Sequence, residues 1–135
     1  MGKGAFNFAL RVPFLKLLQT IFERTGRVLD NTNLRVLLVE DEREVREEYK
    51  KAFLGHPMLQ LVAEVDNSKE ALEILMETPI DAMLLDLELG SEDSGVILLE
   101  KLQLMDVEKP FVAVVTNVVS KVVYHAIRKM GADYI

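Results

Sequence analysis

From Leu34 onward, short apolar runs alternate with longer segments in which apolar side chains recur every three or four positions. The apolar runs predict four strands, at residues 35–39, 59–65, 82–85 and 111–115. The amphipathic segments predict four helices, at residues 42–54, 67–76, 95–105 and 120–130. Residues 132–135 predict the beginning of a fifth strand. Strands alternating with helices of about 10–13 residues predict an α/β fold of right-handed βαβ units around a parallel sheet.

Acidic residues follow two of the predicted strands directly. Glu40 and Asp41 come after the first strand, and Asp86 comes after the third. In an open parallel sheet, ligands bind at the carboxyl ends of the strands, where the strand order reverses. The first and third strands are neighbours in a flavodoxin-like doubly wound sheet, so we expect the three carboxylates to converge. A single acid at a strand end is common and needs no function, whereas three on one edge predict a site.

The chemistry of such a site follows from its charge. Converging carboxylates repel one another unless a cation neutralises them, and hard oxygen ligands suit Mg²⁺. A bound Mg²⁺ would favour Asp86 as a nucleophile and would screen the oxygens of an incoming phosphoryl group. Thr116 follows the fourth predicted strand, and its hydroxyl could donate to a phosphoryl oxygen on Asp86.

Four segments together resemble the receiver domain of two-component response regulators. They read VLLVEDE at 36–42, LLDLELG at 84–90, VVTN at 114–117 and GADYI at 131–135. The resemblance covers residues 34–135, and its combined motifs are specific although each would be weak alone. It implies a flavodoxin-like (βα)5 sheet.

The resemblance also implies a function for the acidic residues. Asp86 would accept a phosphoryl group from the phosphohistidine of a sensor histidine kinase or a phosphotransfer protein. Mg²⁺ would be held by Glu40, Asp41, Asp86 and the backbone carbonyl of Glu88. The domain would phosphorylate and dephosphorylate itself, would not act as an enzyme on other substrates, and would switch a protein-contact surface.

The loop after Asp86 departs from the family pattern. It is one residue longer than usual, and Gly90 stands where the family often has Pro. Glu92 and Asp93 add negative charge beside the site. We expect this loop to differ in mobility rather than in chemistry.

The carboxyl-terminal half departs in two further respects. Thr116 matches the switch hydroxyl, but Asn117, at the neighbouring phosphate-binding position, is larger than the usual small residue. The sequence ends at Ile135, before the position of the family's catalytic Lys. We therefore expect no catalytic Lys within the given residues, and a fifth strand and helix that are truncated or replaced.

Residues 1–33 form a separate N-terminal segment with apolar positions at helical spacing, among them Leu15, Leu18 and Phe22. The favoured interpretation is an amphipathic helix that packs on the receiver or on a second copy of it. In an alternative, a strand at residues 6–12 and a following helix replace the missing fifth strand and helix. Disorder and binding to an anionic lipid surface are further alternatives.

Charge is divided unevenly along the chain. Residues 1–33 hold five basic and two acidic side chains, whereas residues 34–135 hold 11 basic and 20 acidic ones. Because the acidic body repels phosphate backbones, we expect no direct binding of nucleic acid. The chain has no Cys and no run of about 20 apolar residues that could span a membrane, which is typical of a cytoplasmic protein. A homodimer through the N-terminal segment or the open side of the sheet is a further expected assembly.

Three functions compete at this point. A phosphorylation-dependent switch is favoured because Glu40, Asp41 and Asp86 are all present. The alternative is a degenerate receiver that binds proteins independently of phosphorylation, which the missing Lys favours. A metal-dependent hydrolase could use Glu88 as a second acid, but the lysine and substrate cap that such enzymes need are not evident.

Overall fold

The computed structural model describes residues 19–21, 23, 33–54, 57–90, 92–115 and 121–133. The elements in residues 33–133 are β1 Leu34–Val39, α1 Arg43–Leu54, β2 Leu59–Val65, α2 Ser68–Glu77, β3 Ala82–Leu85, α3 Gly95–Leu104, β4 Phe111–Val114 and α4 Lys121–Lys129. The predicted alternation is confirmed, and each end lies within one residue of its predicted position. None of these helices is long and apolar enough to cross a membrane.

The four strands form one parallel sheet in the order β2-β1-β3-β4. The chain moves from β1 outward to β2 and then returns to the other side of β1 to form β3 and β4. The strand order therefore reverses between β1 and β3, whose last residues, Val39 and Leu85, are partners in register. The flavodoxin-like α/β fold is confirmed, and its ligand-binding edge lies at the ends of these two strands.

Successive residues of a strand point to opposite faces of the sheet. Because the strands are apolar at successive positions, both faces of the sheet are apolar. Leu38 belongs to a buried cluster on the first face, together with Val45 and Phe53 of α1. Leu37 belongs to a cluster on the second face, which includes residues of α2, α3 and α4. Since β1, β3 and β4 are buried almost completely, the polar side chains that follow β1 and β3 lie at the carboxyl ends of these strands.

A residue that precedes the sheet completes the first-face cluster. Residues 19–21 are helical, and Ile21 is 2% exposed within the cluster that contains Ala82 of β3 and Ala113 of β4. Among the described helices of residues 33–133, α1 alone contributes to this cluster. The alternative strand at residues 6–12 lies outside the described residues.

The chain after α4 returns to the free edge of β4. Gly131 ends the helix with a φ of 101°, a conformation that favours glycine. The Asp133 amide donates to the Val112 carbonyl at 2.8 Å, and the Val112 amide donates to the Asp133 carboxylate at 2.9 Å. Ala132 and Asp133 are not strand residues, and the rest of the predicted fifth strand, residues 134–135, lies outside the described residues.

Candidate phosphoryl-acceptor site

Glu40, Asp41 and Asp86 meet at the carboxyl ends of β1 and β3. Each residue offers one carboxylate oxygen, and these oxygens all lie within 4.8 Å of one another. The ladder hydrogen bonds continue into the site, since the Asp86 amide donates to the Val39 carbonyl and the Glu40 amide donates to the Val65 carbonyl, both at 3.0 Å. The sheet itself therefore brings the two acidic segments together, as the order of the strands requires.

Two of the three carboxylates are deeply buried. Glu40 and Asp86 are each 3% exposed, whereas Asp41 is only partly buried. A buried carboxylate is costly unless it is hydrogen-bonded or paired with a cation. Glu40 Oε2 accepts from the Glu42 amide at 3.0 Å, and Asp86 Oδ1 accepts from the Glu88 amide at 3.1 Å. These local bonds fix one oxygen of each carboxylate.

Arg46 of α1 holds the backbone beneath this acidic site. Its Nη1 donates to the carbonyl oxygens of Glu40 at 2.8 Å and Asp41 at 3.1 Å. Its Nε lies 3.4 Å from Glu64, which also pairs with Lys50 at 3.0 Å. The guanidinium thus fixes the β1–α1 turn and adds positive charge close to the carboxylates. This role was not predicted; its only signal in the sequence is a basic residue five positions after Asp41, near the start of a helix.

Tyr49 lies on the inner side of α1, 3% exposed. Burial raises the pKa of its phenol well above the ordinary value of 10.0, and the negative charges of Glu40 and Asp86 raise it further. The direction is the one expected for an acid that would become an anion beside other anions. The negative potential of the site therefore extends into the first-face core.

The loop from Leu87 to Ser94 is closed at its base. Glu88 and Ser94 form an antiparallel bridge, and the Gly95 amide donates to the Leu87 carbonyl at 2.9 Å. Gly90 within the loop has a φ of 105°, where a residue with a side chain would be strained. The loop therefore leaves β3 and returns to the N-terminus of α3 beside the site.

Asp93 ties this loop to α2. Its carboxylate accepts from the Ser68 amide and the Ser68 hydroxyl, each at 2.7 Å, and from the Ser94 amide at 2.8 Å. From the sequence, Asp93 was expected only to add negative charge beside the site. Its partner is 25 positions away, so no local pattern could have shown the contact.

The remaining predicted site residues are placed only in part. Glu88 is exposed and contributes its amide to Asp86, as described above. Thr116 and Asn117 lie outside the described residues. The residue before them, Val115, donates its amide to the Leu85 carbonyl at 2.8 Å, so the chain after β4 begins next to the end of β3.

The donor set of the acidic cluster fits a hard divalent cation. Three carboxylate oxygens within 4.8 Å can share one ion, and oxygen donors are what Mg²⁺ prefers. Glu40 and Asp86 are buried, whereas Asp41 is partly exposed. Among the described residues, no thiolate or imidazole belongs to this cluster, so nothing there favours zinc instead.

Comparison with known families agrees with this geometry. The sequence pattern of the response regulator receiver domain matches residues 36–135. The chain belongs to this family. Receiver domains act in two-component signal transduction and bind Mg²⁺ at an acidic pocket, and Glu40, Asp41 and Asp86 form an acidic cluster in this receiver.

Individual relatives support the same assignment. The sensory transduction protein LytT of Enterococcus faecalis is 41% identical over 69 residues, which are 51% of this chain and 28% of LytT. The crystal structure of the response regulatory domain of MrkE from Klebsiella pneumoniae has 27% identity and a TM-score of 0.62, covering 76% of this chain and 81% of that one. A CheY-like receiver from Methanospirillum hungatei has 21% identity and a TM-score of 0.66, with coverage of 76% and 79%. The chain spans about a third or less of the full lengths of LytT and MrkE.

Proposed function

We propose that this receiver accepts a phosphoryl group on Asp86 in a Mg²⁺-dependent reaction. The observation that supports the proposal is the meeting of three carboxylate oxygens within 4.8 Å at the edge where the strand order reverses. Glu40, Asp41, Asp86 and the backbone carbonyl of Glu88 would hold the cation. When bound, Mg²⁺ would offset the negative charge of the carboxylates and of the incoming phosphoryl oxygens.

The reaction would be a transfer between two nucleophiles. A carboxylate oxygen of Asp86 attacks the phosphorus of a phosphohistidine, and the new O–P bond forms as the P–N bond breaks. The electron pair of the broken bond returns to the imidazole nitrogen of the donor. The Glu88 amide, which donates to Asp86 Oδ1, orients the attacking carboxylate.

The proposed donor is a sensor histidine kinase or a phosphotransfer protein, and transfer would take place in the cytoplasm. Thr116 and Asn117 would contact the phosphoryl group from the end of β4 and so sense its presence. The output would be a change in a protein-contact surface of the domain rather than turnover of a separate substrate. Its acidic body suits partners with basic surfaces better than nucleic acid.

We also propose that the N-terminal segment of residues 1–33 contacts the receiver domain of residues 34–135 through the described residues 19–21. The support is Ile21, a helical residue that is 2% exposed in the same cluster as residues of β1, β3 and β4. Packing of Ile21 within the chain would leave this side chain unavailable for a homodimer contact.

The phosphoryl-transfer proposal is tested with the full chain, acetyl phosphate and Mg²⁺, followed by intact mass spectrometry. The wild type should gain the mass of one phosphoryl group, and Asp86→Asn should gain none. The exposed acid Asp106 provides a matched control, since Asp106→Asn should gain as much as the wild type. If Asp86→Asn still gains the mass of a phosphoryl group, Asp86 is not the acceptor. No gain on the wild type would instead favour a degenerate receiver that binds partners without phosphorylation.

A further inference from the structure

We infer that Asp93 is a positioning residue, which acts through Ser68 to fix the loop that carries the metal-binding backbone beside Asp86. The attachment itself is a property of the fold. Its consequence for Mg²⁺ and phosphorylation rests on the proposed function.

The Asp93 carboxylate accepts three hydrogen bonds, two of them from Ser68. Oδ2 of Asp93 accepts from the Ser68 amide, while Oδ1 accepts from the Ser68 hydroxyl and the Ser94 amide, at 2.7 to 2.8 Å. Ser68 is 7% exposed at the first position of α2. Hydrogen bonds to a carboxylate are the stronger kind, and two donors from one residue fix its direction as well as its distance.

The charge state of Asp93 agrees with this geometry. Burial alone would raise the pKa of its carboxyl, but the hydrogen bonds from Ser68 and Ser94, together with the charge of Lys101, outweigh burial and lower the pKa. Asp93 is therefore an anion over the whole neutral range and accepts all three hydrogen bonds there.

A series of contacts within the loop connects Asp93 to Asp86. Ser94 follows Asp93 directly and bridges to Glu88 across the loop. Glu88 in turn donates its amide to Asp86. Leu89 of the same loop is 5% exposed and packs in the second-face core. The loop is thus held both by this apolar anchor and by the Asp93–Ser68 contact.

This path predicts which quantity depends on Asp93. If the contact is lost, Glu88 is held less firmly, so its carbonyl contributes less to Mg²⁺ binding. The Asp86 side chain is not substituted, and Mg²⁺ bound at saturating concentration would hold in place the Glu88 backbone that orients it. The Mg²⁺ concentration for half-maximal phosphorylation should therefore rise, while the rate at saturating Mg²⁺ should stay close to that of the wild type.

The experiment compares Asp93→Ala and Ser68→Ala with the wild-type full chain, using Mg²⁺ and acetyl phosphate as probes. We expect the half-saturating Mg²⁺ concentration to rise about tenfold in Asp93→Ala, as is typical when a group that orients a metal ligand is removed. Asp93→Asn, which retains acceptor oxygen but loses the charge, should show a smaller rise. In the Asp93→Ala background, Ser68→Ala should add almost nothing, because the two residues act as one contact.

Glu92→Gln provides the matched control for charge. Glu92 is exposed and lies next to Asp93, so its neutralisation removes the same charge without breaking the attachment. It should change the half-saturating Mg²⁺ concentration by less than about twofold at physiological salt. An equal effect of Glu92→Gln and Asp93→Ala would assign the result to long-range charge and overturn the positioning role.

A second measurement does not depend on phosphorylation. In metal-free protein, amide hydrogen exchange at Glu88 should become faster in Asp93→Ala than in the wild type. If Asp93→Ala leaves the exchange of the Glu88 amide unchanged, the positioning role of Asp93 is overturned and the proposed function is not. The same follows if the wild type is phosphorylated and Asp93→Ala needs no more Mg²⁺ than the wild type. Faster exchange in a chain whose wild type takes no phosphoryl group would overturn the proposed function and leave the attachment standing.

Discussion

A Cβ atom placed on Gly95 would lie 2.5 Å from the backbone carbonyl oxygen of Asp86. Such a contact is too short to exist, and the obstructing atom belongs to the backbone of Asp86, the proposed acceptor. We therefore predict that Gly95→Ala lowers the free energy of unfolding by about 1–3 kcal/mol, as overpacking usually does. It should also slow phosphorylation of Asp86. Urea unfolding and intact mass spectrometry measure the two effects.

The control for Gly95→Ala is Glu100→Ala, an exposed position on the same helix. It should change the free energy of unfolding by no more than about 0.5 kcal/mol. If Gly95→Ala were as stable and as readily phosphorylated as the control, α3 could move away from the site. The close approach of Gly95 to the Asp86 carbonyl would then not be needed for stability or phosphorylation.

Arg46 provides a prediction about stability. Arg46→Met keeps much of the side-chain length but leaves the carbonyls of Glu40 and Asp41 without this donor. We expect a loss of about 1–3 kcal/mol in the free energy of unfolding, because charge-assisted hydrogen bonds to backbone are removed. Arg43→Met, at an exposed position of the same helix, should cost no more than about 0.5 kcal/mol. Equal losses in the two variants would contradict the role of Arg46.

Tyr49 gives the protein a specific sensitivity to alkali. The pKa of Tyr49 is raised in the folded state, so below about pH 10 the phenol is protonated in both the folded and unfolded chains. As the pH rises further, the unfolded chain loses this proton first, and stability falls until the folded pKa is passed. Tyr49→Phe should therefore lose less stability than the wild type between about pH 10 and pH 11. Parallel curves from urea unfolding at pH 8, 10 and 11 would show that Tyr49 does not titrate as described.

Ile21 tests whether the N-terminal segment belongs to the folded domain. Because Ile21 is buried in the first-face cluster, Ile21→Ala should lower the free energy of unfolding by about 2–5 kcal/mol. Gln19→Ala, on the exposed side of the same short helical stretch, should have an effect of no more than about 0.5 kcal/mol. Similar small effects for both variants would mean that the segment contributes nothing to stability.

The positions of the strands and of the acidic cluster could be predicted because both depend on local pattern. Apolar runs fix the strands, and the reversal of strand order then brings the residues after β1 and β3 to one point. Glu40, Asp41 and Asp86 follow those strands directly, so their approach needs no knowledge of side-chain packing.

The contacts that support the cluster could not be predicted in the same way. Arg46 was indistinguishable from the other charged residues of an amphipathic helix until its carbonyl partners were known. Asp93 and Ser68 are joined across 25 positions, and a short acidic run is usually solvated. Ile21 resembles any apolar residue of an amphipathic segment, and the face that it covers is fixed only by the assembled sheet.

The proposed function depends most on one claim, that Glu40, Asp41 and Asp86 share a single divalent cation. Anomalous scattering from crystals of the full chain soaked in Mn²⁺, a hard cation that takes the same oxygen ligands, tests it directly. We predict a peak within about 2–2.5 Å of the Asp41 and Asp86 carboxylates, with Glu40 bound directly or through one water. Mn²⁺ peaks only at other acidic surfaces, with none between these residues, would contradict the account.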